Sequence, residues 1–330
     1  VPSAVTIRSV LNILSVTFPF FALVLCGYLA ARRRALPLEA IPGLNGFVLF
    51  FALPCMLYRF GATTPIGQLL DYAVFAVWLL CGLVMVGVTV AVTRNQRTSW
   101  NDASFGALVA AFPNTGFMGV PLLVALLGPL AAAPTIVGML VDMVVTTSLC
   151  IALSRLDGAD KHGMAVALKS ALRGMLTNPM PWAILLGGVA SSLQLQLPGP
   201  LDRTVGLLAD AASPVALFTI GAVLARSQIL TEQSGHPPIP PRDYVPVALF
   251  KLVLHPLLVL LAGSAAIWFG VPLSRFALTV MVLAAALPSA SNVSLLAERF
   301  GADNGRIARI ILVSTAAAFL SFSAAVALMT

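Results

Sequence analysis

Two short polar runs interrupt hydrophobic stretches of the chain at a proline: FPNTG at 112–116 and LPSASN at 287–292. Proline lacks an N–H and its ring clashes with the carbonyl one turn earlier, so Pro113 and Pro288 free backbone groups that must find new partners. Asn114, Thr115 and Gly116 follow the first proline, and Ser289, Ser291 and Asn292 the second. These residues supply short polar side chains and pliant backbone where a helix would unwind. An unwound centre leaves half-helices of about ten residues, each ~15 Å long. Their N-termini carry unpaired N–H groups and roughly +0.5 charge. Two such breaks crossing at a membrane midplane make a preformed anion site. The bland alternative is a pair of packing kinks repaired by neighbouring groups.

Three further residues stand out because an ionisable group inside the membrane is expensive and usually functional. Asp142 lies in TIVGMLVDMVVTTSLC, and Lys251 and His255 lie one turn apart in VALFKLVLHPLL. An uncompensated charge at that depth costs at least ~2.5 kcal/mol, so each requires a partner. Lys251 can pair with Asp142, steer a substrate carboxylate, or do both, and such a pair can also relay protons. A purely structural ion pair is the competing reading. His255 precedes Pro256 and is either functional or a simple donor to a nearby carbonyl. Asp210, in an Ala-rich stretch, is a weaker candidate. Ser289 and His255 together suggest an intramembrane serine protease only remotely, because GxSxG, HExxH and paired-aspartate motifs are all missing. The chain reads as a non-enzyme. Cys26, Cys55, Cys81 and Cys150 lie in apolar segments without metal-ligand spacing, so they read as packing residues, with no metal and no cofactor implied.

The elements that hold these residues follow from composition. The chain is 59% hydrophobic and only 9% charged, with a mean hydropathy of +0.98. An ordinary soluble domain is roughly 25% charged. Bilayer is the natural solvent, and lipid the surrounding partner. Apolar stretches of about 20 residues suit ~30 Å of hydrocarbon, and ten are predicted near 10–31, 41–59, 70–93, 103–127, 132–153, 180–196, 201–225, 244–269, 275–298 and 306–329. The first is too long for a signal h-region and lacks a basic n-region, so it is expected to remain in place.

The net charge of +7 would suit nucleic acid, but its distribution argues against that partner. Arg32, Arg33, Arg34, Arg94, Arg97, Arg155, Lys161, Lys169, Arg173, Arg226, Arg242, Arg299, Arg306 and Arg309 all fall in odd-numbered loops. Arg8, Arg59, Arg203 and Arg275 fall on the other side. By the positive-inside rule the odd loops are cytoplasmic and both termini lie outside.

The most polar interruption, 154–179, contains the amphipathic run MAVALKSALRGML, expected as a helix in the cytoplasmic interface. It divides the all-α chain into five spans at 1–153 and five at 180–330. Five is odd, so a second copy of the unit must be inverted. Pro54 and Pro214 in segments two and seven, and Pro113 and Pro288 in segments four and nine, are expected to break the chain at matching places. The Gly- and Pro-rich stretch 226–243 reads as a connector with an idle His236.

FPNTGFMGVPLL at 112–123 resembles the signature of the auxin efflux carrier family, and KLVLHP at 251–256 and ALPSASNVSLLAERFGAD at 286–303 are similar to its later motifs. The resemblance spans nearly the whole chain. It implies a homodimeric ten-span carrier in which broken segments four and nine cross and bind the substrate carboxylate. Segments one, two, six and seven would form a scaffold and dimer interface, and segments three to five and eight to ten a moving transport domain. Asn114 is then the first choice for substrate contact, with Pro113 and Pro288 creating the crossing and Ser289, Ser291 and Asn292 lining its second half. The central loop is far shorter than in plant members, which leaves kinase control unsupported. It suits the bacterial-type group, associated with malonate, malate and related acids. Asp142 and Lys251 also occupy the ordinal places of a buried Asp and Lys in the sodium/proton antiporter fold, an analogy that raises proton coupling. The expected function is a permease for a small organic anion, working by alternating access in an inner or plasma membrane. A sodium-coupled or cation transporter on the same fold is the alternative, weakened by crossing motifs that contain no Asp or Glu.

Overall fold

The computed structural model describes residues 4–65, 67, 71–95, 98–156, 179–233 and 239–330. The amphipathic run 164–176, the cations Arg97, Lys161, Lys169 and Arg173, and His236 lie outside the described residues. Within them the chain is helical throughout, without strands. We number the helices α1 (Ala4–Arg32), α2 (Ile41–Thr63), α3 (Tyr72–Thr93), α4 (Trp100–Ala111), α5 (Thr115–Leu127) and α6 (Pro129–Leu153). After the undescribed segment follow α7 (Pro179–Ser192), α8 (Gly199–Gln233), α9 (Val245–Trp268), α10 (Arg275–Ala286), α11 (Asn292–Arg299) and α12 (Asn304–Met329).

Among the described residues, seven helices are long and apolar enough to cross a membrane by length and composition: α1 from Ser15, α2, α3, α6, α8 up to Leu230, α9 and α12. Their outward faces carry large apolar side chains such as Leu207, Leu261 and Leu320, each more than 65% exposed. In water such a surface would aggregate. In lipid it needs no cover.

Prolines are handled in two ways. Four helices contain a five-residue wide turn with i→i+5 bonding: Val48–Ala52, Thr115–Gly119, Asp142–Thr146 and Phe250–Leu254. Three of these run straight into a proline two residues on, at Pro54, Pro121 and Pro256. The extra residue shifts the backbone, so the ring escapes the carbonyl it would strike in a regular helix, and the helix continues. Pro214 sits inside the uninterrupted α8. The expected breaks at Pro54 and Pro214 are therefore absent. α8 also runs on past 225, so Arg226 is helical, not a loop cation.

Helix starts are fixed by side-chain caps. Ser99 Oγ accepts from Asp102 N–H, Ser274 Oγ from Ala277 N–H and Asp303 Oδ1 from Arg306 N–H, each at 3.0 Å. α4 and α10 thus begin alike, and both have 12 residues. Both also end at the residue before an extended Phe-Pro or Leu-Pro pair.

α1 lies against α8, and α2 against α7 and α8. Glycine permits this closeness: a Cβ at Gly27 would overlap Phe218 O, and one at Gly221 would overlap Val24 O. Two polar links join α1 to α8 near one end, Tyr28 Oη to Gln228 at 2.6 Å and Arg32 to Glu232 at 2.9 Å. Asp210 of α8 pairs with Arg59 of α2 at 2.7 Å on an exposed face, which gives it a structural partner. The remaining helices pack around α4–α5 and α10–α11, whose stretches 103–115 and 280–291 are buried throughout.

Candidate functional site

The residue before a proline is driven out of the helical region. Phe112 (φ −96°, ψ 101°) and Leu287 (φ −62°, ψ 156°) are both extended as a result. Two short extended pieces therefore face each other and pair. Asn114 N–H donates to Pro288 O at 2.8 Å and Ala290 N–H to Phe112 O at 3.0 Å, which makes Pro113 and Ser289 an antiparallel bridge. Each break satisfies groups that the other has freed, as an interior poor in water requires. Ser289 N–H is taken by Ser314 Oγ of α12 at 3.2 Å. Asn114 O accepts from Met118 N–H and Gly119 N–H, at 3.1 and 2.9 Å, so α5 starts at the break itself.

The N-terminal ends of α5 and α11 flank a cavity of ≈ 20 Å³, room for about one water. Pro113, Asn114, Gly116 and Asn292 line it, together with Leu53, Phe112, Phe117, Ala290 and the methionines Met139, Met143 and Met180. Among the described residues no ionisable side chain is in the lining. Asn114 is 3% exposed, and its carboxamide neither caps α5 nor bonds another side chain among the described residues. A Cβ at Gly116 would come within 3.3 Å of Met139 Sδ, so glycine keeps that wall open. Asn292 Oδ1 and Ser289 Oγ are buried and have no partner among the described residues. Thr115, Pro288, Ser289 and Ser291 are buried in the wall behind the lining, not in it.

Asp142, Lys251 and His255 come together elsewhere, behind α10. Lys251 Nζ donates to Ala285 O at 2.6 Å and lies 3.1 Å from His255 Nδ1. Ala285 is in the last turn of α10, whose carbonyls lack helical partners and carry the negative end of the dipole. A buried ammonium fits that place. Asp142 Oδ2 accepts from Trp78 Nε1–H and Oδ1 from Thr146 Oγ1–H, both at 3.1 Å. The Trp78 and His255 rings are 5.7 Å apart. Asp142 and Lys251 form no ion pair within 4 Å; a chain of contacts through Trp78 and His255 links them instead. All three ionisable groups are at most 1% exposed.

Two participants carried no usable sequence signal. Trp78 in an apolar helix reads as core, and only its fit against Gly138, where a Cβ would stand 3.0 Å from the indole, shows that it is held in place. Arg306 reads as one loop cation among several, yet it is 6% exposed. Its Nε donates to Asp243 O at 2.7 Å and its Nη1 to Asp102 O at 2.9 Å, tying the start of α12 to α4 and to the segment before α9. Asp303 N–H to Asp102 Oδ1 at 2.8 Å and Asn101 Nδ2–H to Phe300 O at 3.1 Å fasten the same end of the two broken helices.

Known proteins match this chain along most of its length. A family described as "Membrane transport protein" matches residues 13–326. A protein of Rhizobium meliloti (strain 1021) named "Putative malonate transporter" is 30% identical over 317 residues, covering 92% of each chain. An uncharacterized transporter of Escherichia coli (strain K12) is 29% identical over 289 residues, 86% of each chain. The "Auxin efflux carrier component 8" of Arabidopsis thaliana is 22% identical over 329 residues, 84% of this chain and 86% of the relative.

Proposed function

The chain belongs to the auxin efflux carrier family of membrane transport proteins, and within it we propose a secondary carrier of a small organic anion. The observation that carries this reading is the mutual pairing of the two breaks, Asn114 N–H to Pro288 O and Ala290 N–H to Phe112 O. It brings two helix N-termini to one cavity, and among the described lining residues the polar side chains are the carboxamides of Asn114 and Asn292. A carboxylate there would accept N–H bonds from Asn114, Asn292 and the first turns of α5 and α11. The relative named for malonate makes small carboxylates the first compounds to try.

The cavity as it stands holds about one water. Substrate entry therefore requires the walls to part, as alternating access demands. The arrangement we propose is ten spans in two inverted five-helix units, 1–153 and 180–330, with α4–α5 and α10–α11 as the crossing broken spans. α1, α2, α7 and α8 form the scaffold of a homodimer in the cell inner membrane or plasma membrane, and both termini lie outside. The common beginnings of α4 and α10, a serine cap and then a proline at the same interval, support the repeat. Proton coupling is assigned to the Asp142–Trp78–His255–Lys251 cluster, which touches the end of α10 through Ala285.

A thermal-shift screen of the purified chain against malonate, malate, other carboxylates and indole-3-acetate, with and without sodium, tests the reading. One carboxylate should stabilise the protein, and Asn114→Ala should abolish that shift while leaving the unliganded melting curve in place. Undiminished stabilisation of the variant would remove Asn114 from the site.

A further inference from the structure

The proposed site has a definite capacity for charge. Its positive potential comes from two helix N-termini at roughly +0.5 each, about one elementary charge together. α5 has 13 residues and α11 has eight, enough for each to have a developed end. Among the described residues no Lys, Arg or His lines the cavity. Asp142 and Lys251 are buried but are not among the described lining residues, and their formal charges are opposite. A dicarboxylate dianion would therefore keep one negative charge without a counter-group, even with one carboxylate at each helix end. The rest of the wall, Leu53, Phe112, Phe117 and the three methionines, offers such a charge nothing.

The hydrogen-bond inventory points the same way. Asn114 and Asn292 have four N–H bonds to give between them, matching the acceptor sites of one carboxylate. Asn292 Oδ1 is a buried acceptor with no donor among the described residues, and an unmet acceptor is costly. A protonated carboxyl or an amide N–H supplies that donor. A fully deprotonated diacid has none.

Resting on the carboxylate reading above, we propose that the site selects a singly charged carboxylate bearing a second, neutral hydrogen-bond donor, so that a diacid is carried as its hydrogen monoanion. For a diacid, one proton then crosses on the substrate itself, separately from any proton that the Asp142 cluster moves.

The test uses the full chain in detergent, with malonate and malonamate as probes. Malonamate is the half-amide of malonic acid: it carries one charge throughout the range in which malonate loses its second proton, and it keeps a donor. Thermal-shift titrations are run at a series of pH values spanning that dissociation. The malonamate curve reports any titration of the protein, so the ratio of the two affinities isolates the ligand. Above malonate's second dissociation the ratio should fall about tenfold per pH unit in malonate's disfavour. It should level off once the dianion binds roughly a hundredfold more weakly, the scale of an unpaired charge in a membrane interior. A ratio that is flat or moves in malonate's favour overturns the proposal while leaving a carboxylate carrier intact. Stabilisation by neither probe, with a cation or neutral solute stabilising instead, removes the carboxylate reading and the charge assignment together.

Discussion

Asp142 and Lys251 were legible because a charge in an apolar run is conspicuous, but their relation was not. Spacing within one helix says nothing about what stands between two helices. The structure puts Trp78 and His255 there, so a proton moving between the carboxylate and the ammonium has two rings to pass. Trp78 is the part most open to test, because Trp78→Phe keeps an aromatic ring and deletes the Nε1–H. Loss of a buried bond to a carboxylate costs about 1–3 kcal/mol, which a thermal melt of the unliganded protein reads. If the cluster couples protons, the same variant blunts the response of uptake to an imposed pH gradient in proteoliposomes. Labelled malonamate is the right cargo, since its charge is constant and any gradient response belongs to the protein. Wild-type uptake indifferent to the gradient would sink coupling by the cluster, and an unaltered Trp78→Phe would take the indole out of the path. Asn114 and Asn292 belong to the same scale. Their placement after a proline announced them, whereas the methionines opposite them gave no sign, being ordinary residues for a packed helix.

Proline marked more breaks in the sequence than the fold contains, and the neighbours of each proline explain the difference. Pro113 and Pro288 are followed by Asn-Thr-Gly and Ser-Ala-Ser-Asn, whose small polar groups and loose backbone let the chain unwind and pair. Pro54 and Pro214 are followed by Cys-Met-Leu and Val-Ala-Leu, which offer freed backbone nothing. There the helix persists, with a wide turn at Val48–Ala52 absorbing Pro54. Helix extents were recovered to within a few residues for most segments, because length and apolarity are local. The wide turns were not, since they answer to the proline two positions on and to tertiary neighbours. Contact between helices makes a sharper prediction at glycine. Gly221 of α8 has no room for a Cβ beside Val24 O, whereas Gly43 of α2 has nothing within 4 Å. Gly221→Leu should therefore prise α1 from α8 and cut the yield of monodisperse protein on size-exclusion chromatography severalfold. Gly43→Ala should be neutral or stabilising by up to about 1 kcal/mol, the helix-propensity difference. Equal recovery of the two variants would contradict the close approach of α1 and α8.

Counting helices by length alone gives seven spans among the described residues, an odd number, and an odd number of crossings puts the two termini on opposite sides. The proposed architecture needs an even number. The difference lies in α4–α5, α7 and α10–α11. α4 has 12 residues and α5 has 13, so at 1.5 Å per residue the two halves reach ~18 and ~20 Å, together enough for ~30 Å of hydrocarbon. α10 and α11, with 12 and eight residues, reach ~30 Å only end to end. Neither half would count as a span, yet each broken pair makes one when joined at its proline. α7, with 14 residues or ~21 Å, is the shortest unbroken candidate and crosses only where the bilayer thins or its flanking residues complete the span. Adding these three would give the ten spans of the proposed architecture, for which the charge alternation predicts both ends on the outside. Alkaline phosphatase fused after Thr330 should be active and green fluorescent protein at the same place dark. A single cysteine near residue 3, in a background lacking Cys26, Cys55, Cys81 and Cys150, should react with an impermeant maleimide in intact cells. One terminus labelled and the other protected would mean an odd count, and the inverted repeat would fall with it, since two five-helix units cannot be opposed if one of them fails to cross.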